Sequence, residues 1–307
     1  MTLFRGLSAF PLTPTDAAGH VQVEALGRVL ERIAAAGADS VGLLGSTGAY
    51  AYLTRPERRL AVEAAVDCLR GRTPLVVGVG ALRTDEAVAL ARDAEEAGAD
   101  GLLLAPMSYQ PLTEGEVHRL VLDVAGAVGL PLCLYNNPGT TRFTFSPGLI
   151  AELAQVPGVA AVKMPLPGDG DVAGEIARLR GMVPPGFVIG HSGDWGAADA
   201  LLAGSDAWFS VVAGLLPEPA LRLTRAAQAG DAEEARRIDA AFAPLWSLFR
   251  QFGSFRIMYA LADALGLGRW EPPRPLLPLG PEVRARLDKA LDRIAALSPL
   301  TPAQGAS

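Results

Sequence analysis

The sequence of 307 residues contains few cysteines and few histidines. Cys68 and Cys133 are too few to form a framework of disulfides, and we expect them to be buried thiols in a reducing compartment. The three histidines are scattered along the chain, which disfavours a metal site built from histidine and cysteine. The sequence therefore predicts neither a disulfide-stabilised secreted domain nor a metal centre.

Long apolar segments and clusters of basic residues are also absent. No run of about eighteen uncharged apolar residues occurs, so we expect no membrane-spanning helix. The N-terminus lacks the basic stretch and apolar segment of a secretory signal, and a net charge of −6 without a basic block disfavours nucleic acid as a partner. Half of the residues are apolar and a fifth are charged, which is typical of a globular protein with a large core. We expect this protein in the cytoplasm.

Lysine is the scarcest charged residue. Of the 27 basic residues only Lys163 and Lys289 are lysines, and the others are arginines. A lysine retained against this bias is a candidate for chemistry that arginine cannot perform, although a bias in genome composition explains the same count.

Eight short apolar runs are spread over the first two thirds of the chain, and a helix-like stretch follows each of them. Their starts are roughly 20 to 35 residues apart, which is the length of a strand–helix unit. Their continuous apolar character is typical of strands that are buried on both faces. The runs are Leu7–Phe10, Val41–Leu44, Leu75–Val79, Gly101–Leu104, Leu132–Tyr135, Val159–Lys163, Phe187–Ile189 and Ala207–Val212.

Eight strands that alternate with helices predict an α/β fold, the (β/α)8 TIM barrel, with a C-terminal helical extension. We expect the barrel over residues 1–229, a helical bundle packed on it over residues 230–297, and a flexible tail over residues 298–307. An open, doubly wound sheet is the alternative, but Gly78-Val79-Gly80 lacks the third glycine of its phosphate-binding turn.

Lys163 closes an otherwise apolar run at the predicted carboxyl end of a barrel strand, where such enzymes carry their active sites. Burying an ammonium group costs several kcal/mol unless it is paired. Burial therefore favours the neutral amine, which can attack a carbonyl carbon. The alternative is a lysine that pairs with a carboxylate at the strand end, and the sequence alone does not decide between the two.

Three further motifs fall at the same predicted rim. Gly45-Ser46-Thr47-Gly48 offers two hydroxyls and accessible backbone amides that can hold a carboxylate or a phosphate, whereas an ordinary turn is the simpler interpretation. Tyr135 ends a strand and could relay protons, or could be a half-buried tyrosine with a satisfied hydroxyl. Ser192-Gly193-Asp194 is a turn or a substrate contact.

Together these motifs carry a resemblance over nearly the whole chain, from Gly6 through the C-terminal helices. Gly45-Ser46-Thr47-Gly48, Tyr135-Asn136-Asn137-Pro138, Lys163 and Ser192-Gly193-Asp194 occur in the order and at the spacing of one family. The chain resembles the dihydrodipicolinate synthase / N-acetylneuraminate lyase family of class I aldolases and dehydratases, which act through a Schiff base.

The resemblance implies a role for each motif. Lys163 would form an imine with pyruvate or another 2-oxo acid, Tyr135 would move protons, and Thr47 would complete the catalytic set. The implied substrate-binding residues are Ser46, Thr47, Gly48, Ser108, Tyr109, Thr140, Gly193, Asp194 and Ser210. The protonated imine is itself the electron sink, so the resemblance implies no metal and no organic cofactor. It also implies a homotetramer or a homodimer.

Several positions depart from the family pattern. Ala49 stands where the family usually has glutamate, and Met164 follows the lysine where an acidic residue is common. Thr140 replaces the arginine with which true synthases grip the second substrate, and Met107 and Ser108 replace their tyrosine pair. The resemblance thus implies that this chain keeps the imine-forming residues and lacks the residues that bind the second substrate. We therefore predict a Schiff-base lyase that performs aldol cleavage, condensation or dehydration.

Other functions stay open from the sequence. The chain could be a true 4-hydroxy-tetrahydrodipicolinate synthase with rearranged recognition. A second alternative is a non-catalytic regulator that binds a 2-oxo acid, and a metal-dependent barrel enzyme is a third.

Overall fold

Eight parallel strands close into a barrel in the computed structural model, which describes residues 3–297. The strands follow one another around the barrel in chain order, and the first pairs with the last. They are β1 (Gly6–Ala9), β2 (Ser40–Leu43), β3 (Leu75–Gly78), β4 (Gly101–Leu104), β5 (Leu132–Tyr135), β6 (Val159–Met164), β7 (Val188–His191) and β8 (Ala207–Ser210). The predicted barrel is confirmed, and the alternative of an open sheet is wrong. Each strand lies within two residues of its prediction.

Eight helices lie between consecutive strands, and a ninth follows the last strand. They are α1 (Val23–Ala36), α2 (Arg55–Leu69), α3 (Thr84–Ala97), α4 (Glu114–Ala125), α5 (Pro138–Thr141), α6 (Pro147–Leu153), α7 (Val172–Arg180), α8 (Ala197–Leu202) and α9 (Pro217–Gln228). Three short 3₁₀ turns lie at Tyr50–Tyr52, Asp194–Gly196 and Val212–Gly214. All three follow the carboxyl ends of strands, so they contribute to the rim at which we expect the active site.

A repeated aspartate ties neighbouring strands together at the opposite, amino-terminal rim. In three places the residue before a strand accepts a hydrogen bond from a backbone N–H of the preceding strand. These bonds run from Leu7 N to Asp39 (2.7 Å), from Leu75 N to Asp100 (2.7 Å) and from Ile189 N to Asp206 (2.9 Å). A charged acceptor strengthens such a bond. The repeated Gly-Ala-Asp and Gly-Ser-Asp sequences therefore hold the end of the barrel that is far from the candidate site.

The C-terminal helices α10 (Ala232–Phe252), α11 (Ser254–Ala264) and α12 (Pro281–Ala295) pack against one another, and α10 also contacts α8 and α9. Their buried apolar residues belong to the same core as those of the barrel. The predicted division into a barrel of residues 1–229 and a bundle of residues 230–297 therefore stays a prediction. The predicted tail, residues 298–307, lies outside the described residues. Among the helices of residues 3–297, none is long and apolar enough to cross a membrane.

Candidate active site

Lys163 lies inside the barrel near its carboxyl rim, between Tyr135 of β5 and Gly190 of β7 in the strand register. It is 3% exposed. Its Nζ lies 3.9 Å from the ring centroid of Phe10, 4.3 Å from that of Tyr135 and 5.8 Å from that of Phe209. Within residues 3–297 no carboxylate forms an ion pair with Lys163. The structure therefore does not support the alternative of a strand-end ion pair.

The rings of Phe10, Tyr135 and Phe209 form an aromatic cage around the amine of Lys163. Phe10 and Phe209 meet edge to face, with ring centroids 6.1 Å apart. A cation over an aromatic face is stabilised by about 0.5–2 kcal/mol. The three ring faces can therefore stabilise a positively charged nitrogen without an ion pair to a carboxylate.

Tyr135 is the last residue of β5, and its hydroxyl joins a small polar cluster. Asn137 Nδ2 donates a hydrogen bond of 2.9 Å to the Tyr135 hydroxyl, and Ser46 Oγ lies 3.3 Å from the same oxygen. Because Asn137 donates, the phenolic hydrogen is available to Ser46 or to a substrate oxygen. Asn137 has no predicted role of its own, although it belongs to the motif that carries the resemblance.

The turn Gly45–Gly48 is held in shape by strained backbone on either side. Leu44 and Ala49 have φ values of 55° and 57°, a left-handed conformation that is costly for residues with a side chain. A methyl group at Gly78 would lie 2.0 Å from the Leu44 carbonyl oxygen, so only glycine fits beside this bend. The packing thus fixes Ser46, which is half-buried, and Thr47, which is buried, at the rim.

Asp194 is buried, and its carboxylate is used within the protein. It accepts hydrogen bonds from Trp208 Nε1 (3.0 Å), Val211 N (3.2 Å) and Val212 N (2.7 Å). Burial raises the pKa of Asp194 to about 6, although these bonds and the nearby charge of Lys163 oppose the shift. Through these hydrogen bonds Asp194 joins the rim segment that follows β7 to the segment that follows β8. The substrate-binding role that the resemblance implied for it stays a prediction.

Gly193 and Ser210 contribute backbone to the same part of the rim. Gly193 has a φ of 88°, and a methyl group there would lie 2.9 Å from Leu166 Cδ1. Ser210 is fully buried, its Oγ accepts a bond of 3.1 Å from Ala213 N, and its carbonyl accepts one of 2.8 Å from Phe10 N. This backbone bond positions the main chain of Phe10, whose ring lies near Lys163 Nζ.

Ser108, Tyr109 and Thr140 lie at the outer edge of the site. The side chain of Tyr109 is 84% exposed. Ser108 Oγ donates to the Gln110 carbonyl, and Thr140 Oγ1 donates to the Asn137 carbonyl at 3.4 Å. In the part of the chain that the structure describes, none of these three side chains forms a hydrogen bond to the Tyr135 hydroxyl or to Ser46. Residues 3–297 also contain no group of three or more His, Cys, Asp or Glu side chains placed to hold a metal ion.

Comparison with known proteins identifies the family to which the chain belongs. The sequence profile of the Dihydrodipicolinate synthetase family matches residues 3–294. The chain belongs to this family. A 4-hydroxy-tetrahydrodipicolinate synthase of Salinibacter ruber is 35% identical over 301 residues, covering 94% of this chain and 96% of that protein. One of Methylococcus capsulatus is 32% identical over 289 residues, covering 93% and 97%.

A solved structure supports the same assignment. The dihydrodipicolinate synthase of Agrobacterium tumefaciens is 61% identical and superimposes with a TM-score of 0.94, over 95% of this chain and 99% of that one. Members of the Dihydrodipicolinate synthetase family are lyases of the class I aldolase type. The present chain is therefore a lyase of that type.

Proposed function

We propose that this member of the Dihydrodipicolinate synthetase family forms a Schiff base between Lys163 and pyruvate or another 2-oxo acid. It then performs aldol cleavage, condensation or dehydration on the bound molecule. The observation that carries the proposal is the amine of Lys163, which lies deep in the barrel among the rings of Phe10, Tyr135 and Phe209.

The chemistry follows from an amine in such a cage. The neutral amine attacks the keto carbon, a carbinolamine forms, and its hydroxyl leaves as water when the imine forms. The protonated imine draws electrons from the neighbouring carbon, and the ring faces stabilise its positive charge. The protonated imine is itself the electron sink, so we propose that no metal or organic cofactor takes part.

Tyr135 is the group that we assign to proton transfer. Its hydroxyl lies within 3.3 Å of Ser46 Oγ, and the amide of Asn137 orients it. A positioned proton carrier of this kind can protonate the carbinolamine oxygen, which otherwise leaves as hydroxide. Ser46 extends the path by one hydroxyl toward the rim.

The substrate carboxylate fits the turn Gly45–Gly48. We propose that its backbone amides and the hydroxyls of Ser46 and Thr47 bind the carboxylate, because turns of this kind can bind anions. We assign Gly193 and Ser210 to the facing wall through their backbone atoms. The catalytic set of the proposal is therefore Lys163, Tyr135 and Thr47.

A true 4-hydroxy-tetrahydrodipicolinate synthase is the second candidate, because the relatives at 35% and 32% identity carry that name. Thr140 argues against it, since an exposed hydroxyl cannot replace the charge-assisted bond of a guanidinium to a second carboxylate. A coupled assay with pyruvate, aspartate semialdehyde and a reductase distinguishes the two candidates.

We also propose that the protein works in the cytoplasm as a homotetramer or a homodimer. Support for subunit contacts comes from three exposed apolar or aromatic side chains on the rim loops, those of Tyr52, Leu82 and Tyr109. Light scattering of the purified chain tests the oligomeric state.

The proposal is tested by trapping the imine with borohydride in the presence of pyruvate and weighing the intact protein. The chain offers a matched control, because Lys289 on α12 is its only other lysine and is exposed. We expect one reduced pyruvyl adduct on the native chain and on Lys289→Arg, and none on Lys163→Arg.

Two outcomes would contradict the proposal. An adduct that persists on Lys163→Arg would place the imine elsewhere. A folded native chain that traps neither pyruvate nor larger 2-oxo acids would favour the non-catalytic regulator.

A further inference from the structure

A cavity lies between the ends of β5 and β6 and the helices α6 and α7. Its volume is about 490 Å³, which is within the range of small-molecule sites. The residues that line it come from four segments of the chain, within 136–139, 144–150, 164–168 and 175–179. The function proposed above assigns no part of the substrate to this cavity.

The cavity lies on the outer face of the barrel wall, away from the amine of Lys163. Tyr135 and Lys163 are partners in the strand register, and the Lys163 amine lies over the Tyr135 ring inside the barrel. Successive residues of a strand point to opposite faces of the sheet. Asn136 and Met164, each the next residue in its segment, therefore lie outward, and both line the cavity.

The walls of the cavity are mostly apolar and contain several prolines. Phe145, Ile150 and Leu179 are buried side chains among the lining residues. Because proline fixes its own φ, walls that contain it need little rearrangement when a ligand enters. The lining prolines are Pro138, Pro147, Pro165 and Pro167.

Asn136 gives the cavity a buried amide whose donor group is poorly used. The residue is 2% exposed, and its Oδ1 accepts a hydrogen bond of 3.3 Å from Phe145 N. Within the described residues its Nδ2 donates only to Met164 Sδ, at 3.6 Å. A thioether sulfur is a weak acceptor, so this amide can still donate to a stronger acceptor such as a ligand oxygen.

Arg178 of α7 supplies a positive charge to the lining. Its side chain is exposed, and it forms no ion pair or side-chain hydrogen bond with any residue from 3 to 297. Glu175 also lines the cavity, but its carboxylate is 12% exposed and lies 3.1 Å from His191 Nε2, so it is already used within the protein. A ligand with a charged oxygen would therefore gain a bond to Arg178 that no described residue makes.

We propose that this cavity binds a small monocarboxylic acid with an apolar body. The apolar body would pack against Phe145, Ile150 and Leu179, and the carboxylate would pair with Arg178. The Nδ2 of Asn136 would donate to an oxygen of the same ligand. The site is separate from Lys163, so its ligand needs no keto group, and the inference does not depend on the Schiff-base function.

The test measures binding by isothermal titration calorimetry at neutral pH. The probes are 3-phenylpropanoate, 3-phenylpropanamide and 3-phenylpropylamine, which share one apolar body and differ in charge. None has a keto group, so none can form an imine with Lys163. The proteins are native chain, Arg178→Gln and the control Arg250→Gln. Both arginines are exposed in the last turn of a helix, and Arg250 does not line the cavity.

We expect the native chain to bind 3-phenylpropanoate more tightly than the amide or the amine. Arg178→Gln should weaken binding of the acid by about tenfold, the lower end of what a charged hydrogen bond contributes. It should also abolish the preference for the acid over the amide. Arg250→Gln should match the native protein, and saturating pyruvate should leave the affinity for the acid unchanged.

Four results would overturn the inference. A folded native chain that binds none of the probes has no such site, and tighter binding of the amine would make Glu175 the selecting group. Equal affinities of native protein and Arg178→Gln for the acid would place the ligand elsewhere. An apparent dissociation constant that rises in proportion to pyruvate would place it in the Lys163 site, a result that leaves the Schiff-base function intact.

Discussion

Asn137 Nδ2 donates a hydrogen bond of 2.9 Å to the hydroxyl of Tyr135, two residues earlier in the chain. An amide NH2 can only donate, so this bond fixes the direction in which the phenol presents its own hydrogen. The same oxygen lies 3.3 Å from Ser46 Oγ. Tyr135 and Ser46 can therefore pass a proton between their hydroxyls, and Asn137 orients the hydroxyl of Tyr135. Asn137, which lies just beyond the end of β5, therefore influences the proton transfer that we assign to Tyr135 and the imine chemistry that we assign to Lys163.

Replacing Asn137 by alanine should slow imine chemistry while leaving Lys163 in place. Without the orienting amide, we expect exchange of the pyruvate methyl protons for deuterium, followed by NMR, to slow by about tenfold to a hundredfold, at the lower end of what general acid–base groups contribute. The final yield of borohydride adduct should be unchanged. Thr144→Ala, an exposed change on the same segment, is the control. Native exchange rates in Asn137→Ala would remove this positioning role.

Tyr135→Phe should have the larger effect. The substitution keeps the ring that lies 4.3 Å from Lys163 Nζ and deletes only the hydroxyl. We expect the same deuterium exchange to slow by ~10²–10⁴, the usual contribution of a positioned proton carrier. Because the cage is retained, thermal stability should change little. An exchange rate close to that of the native protein would mean that another group moves the proton.

Gly78→Ala should distort the turn Gly45–Gly48, because residue 78 packs against the backbone of Leu44 beside that turn. The added methyl group would lie 2.0 Å from the Leu44 carbonyl, and backbone cannot yield as a flexible side chain can. Overpacking of this kind typically costs about 1–3 kcal/mol, and we expect at least that loss in urea unfolding, with weaker trapping of pyruvate. Gly115→Ala serves as the matched control, since no atom lies within 4 Å of its added methyl group. Equal stability of the two variants would contradict the steric argument.

The sequence predicted the barrel well because its strands are buried on both faces, and such strands have continuous apolar runs. Lys163 and Tyr135 were placed together for a related reason, since the carboxyl ends of parallel strands meet at one rim. The environment of Lys163 was not predictable. Phe10 belongs to an apolar run that could only be interpreted as core, and its position over the amine depends on the curvature of the closed barrel.

Residues beyond the strand ends were harder to assign. The direction of the Asp194 carboxylate, toward the amides of Val211 and Val212, is set by how two rim segments pack and has no local sequence signal.

Asp194 should make stability depend on pH in a recognisable direction. Its carboxyl group has a folded-state pKa of about 6 because of burial, whereas the ordinary value is 3.8. Between these two values the folded protein binds a proton that the unfolded chain has released, so the free energy of unfolding falls as pH rises from about 4 to about 6. Above this window the contribution is constant.

The measurement is urea unfolding of native protein and Asp194→Asn at several values from pH 4 to pH 7. The variant loses an acceptor for the amides after β8 and should be less stable throughout, but it lacks the titrating carboxyl. The difference in unfolding free energy between native protein and variant should therefore shrink by about 2 kcal/mol as pH rises from 4 to 7. Asp67→Asn, an exposed change on α2, should keep the native dependence. A constant difference between native protein and Asp194→Asn would show that this carboxyl is already ionised at pH 4, and that its bonds to Trp208 and the two amides outweigh the cost of burying its charge.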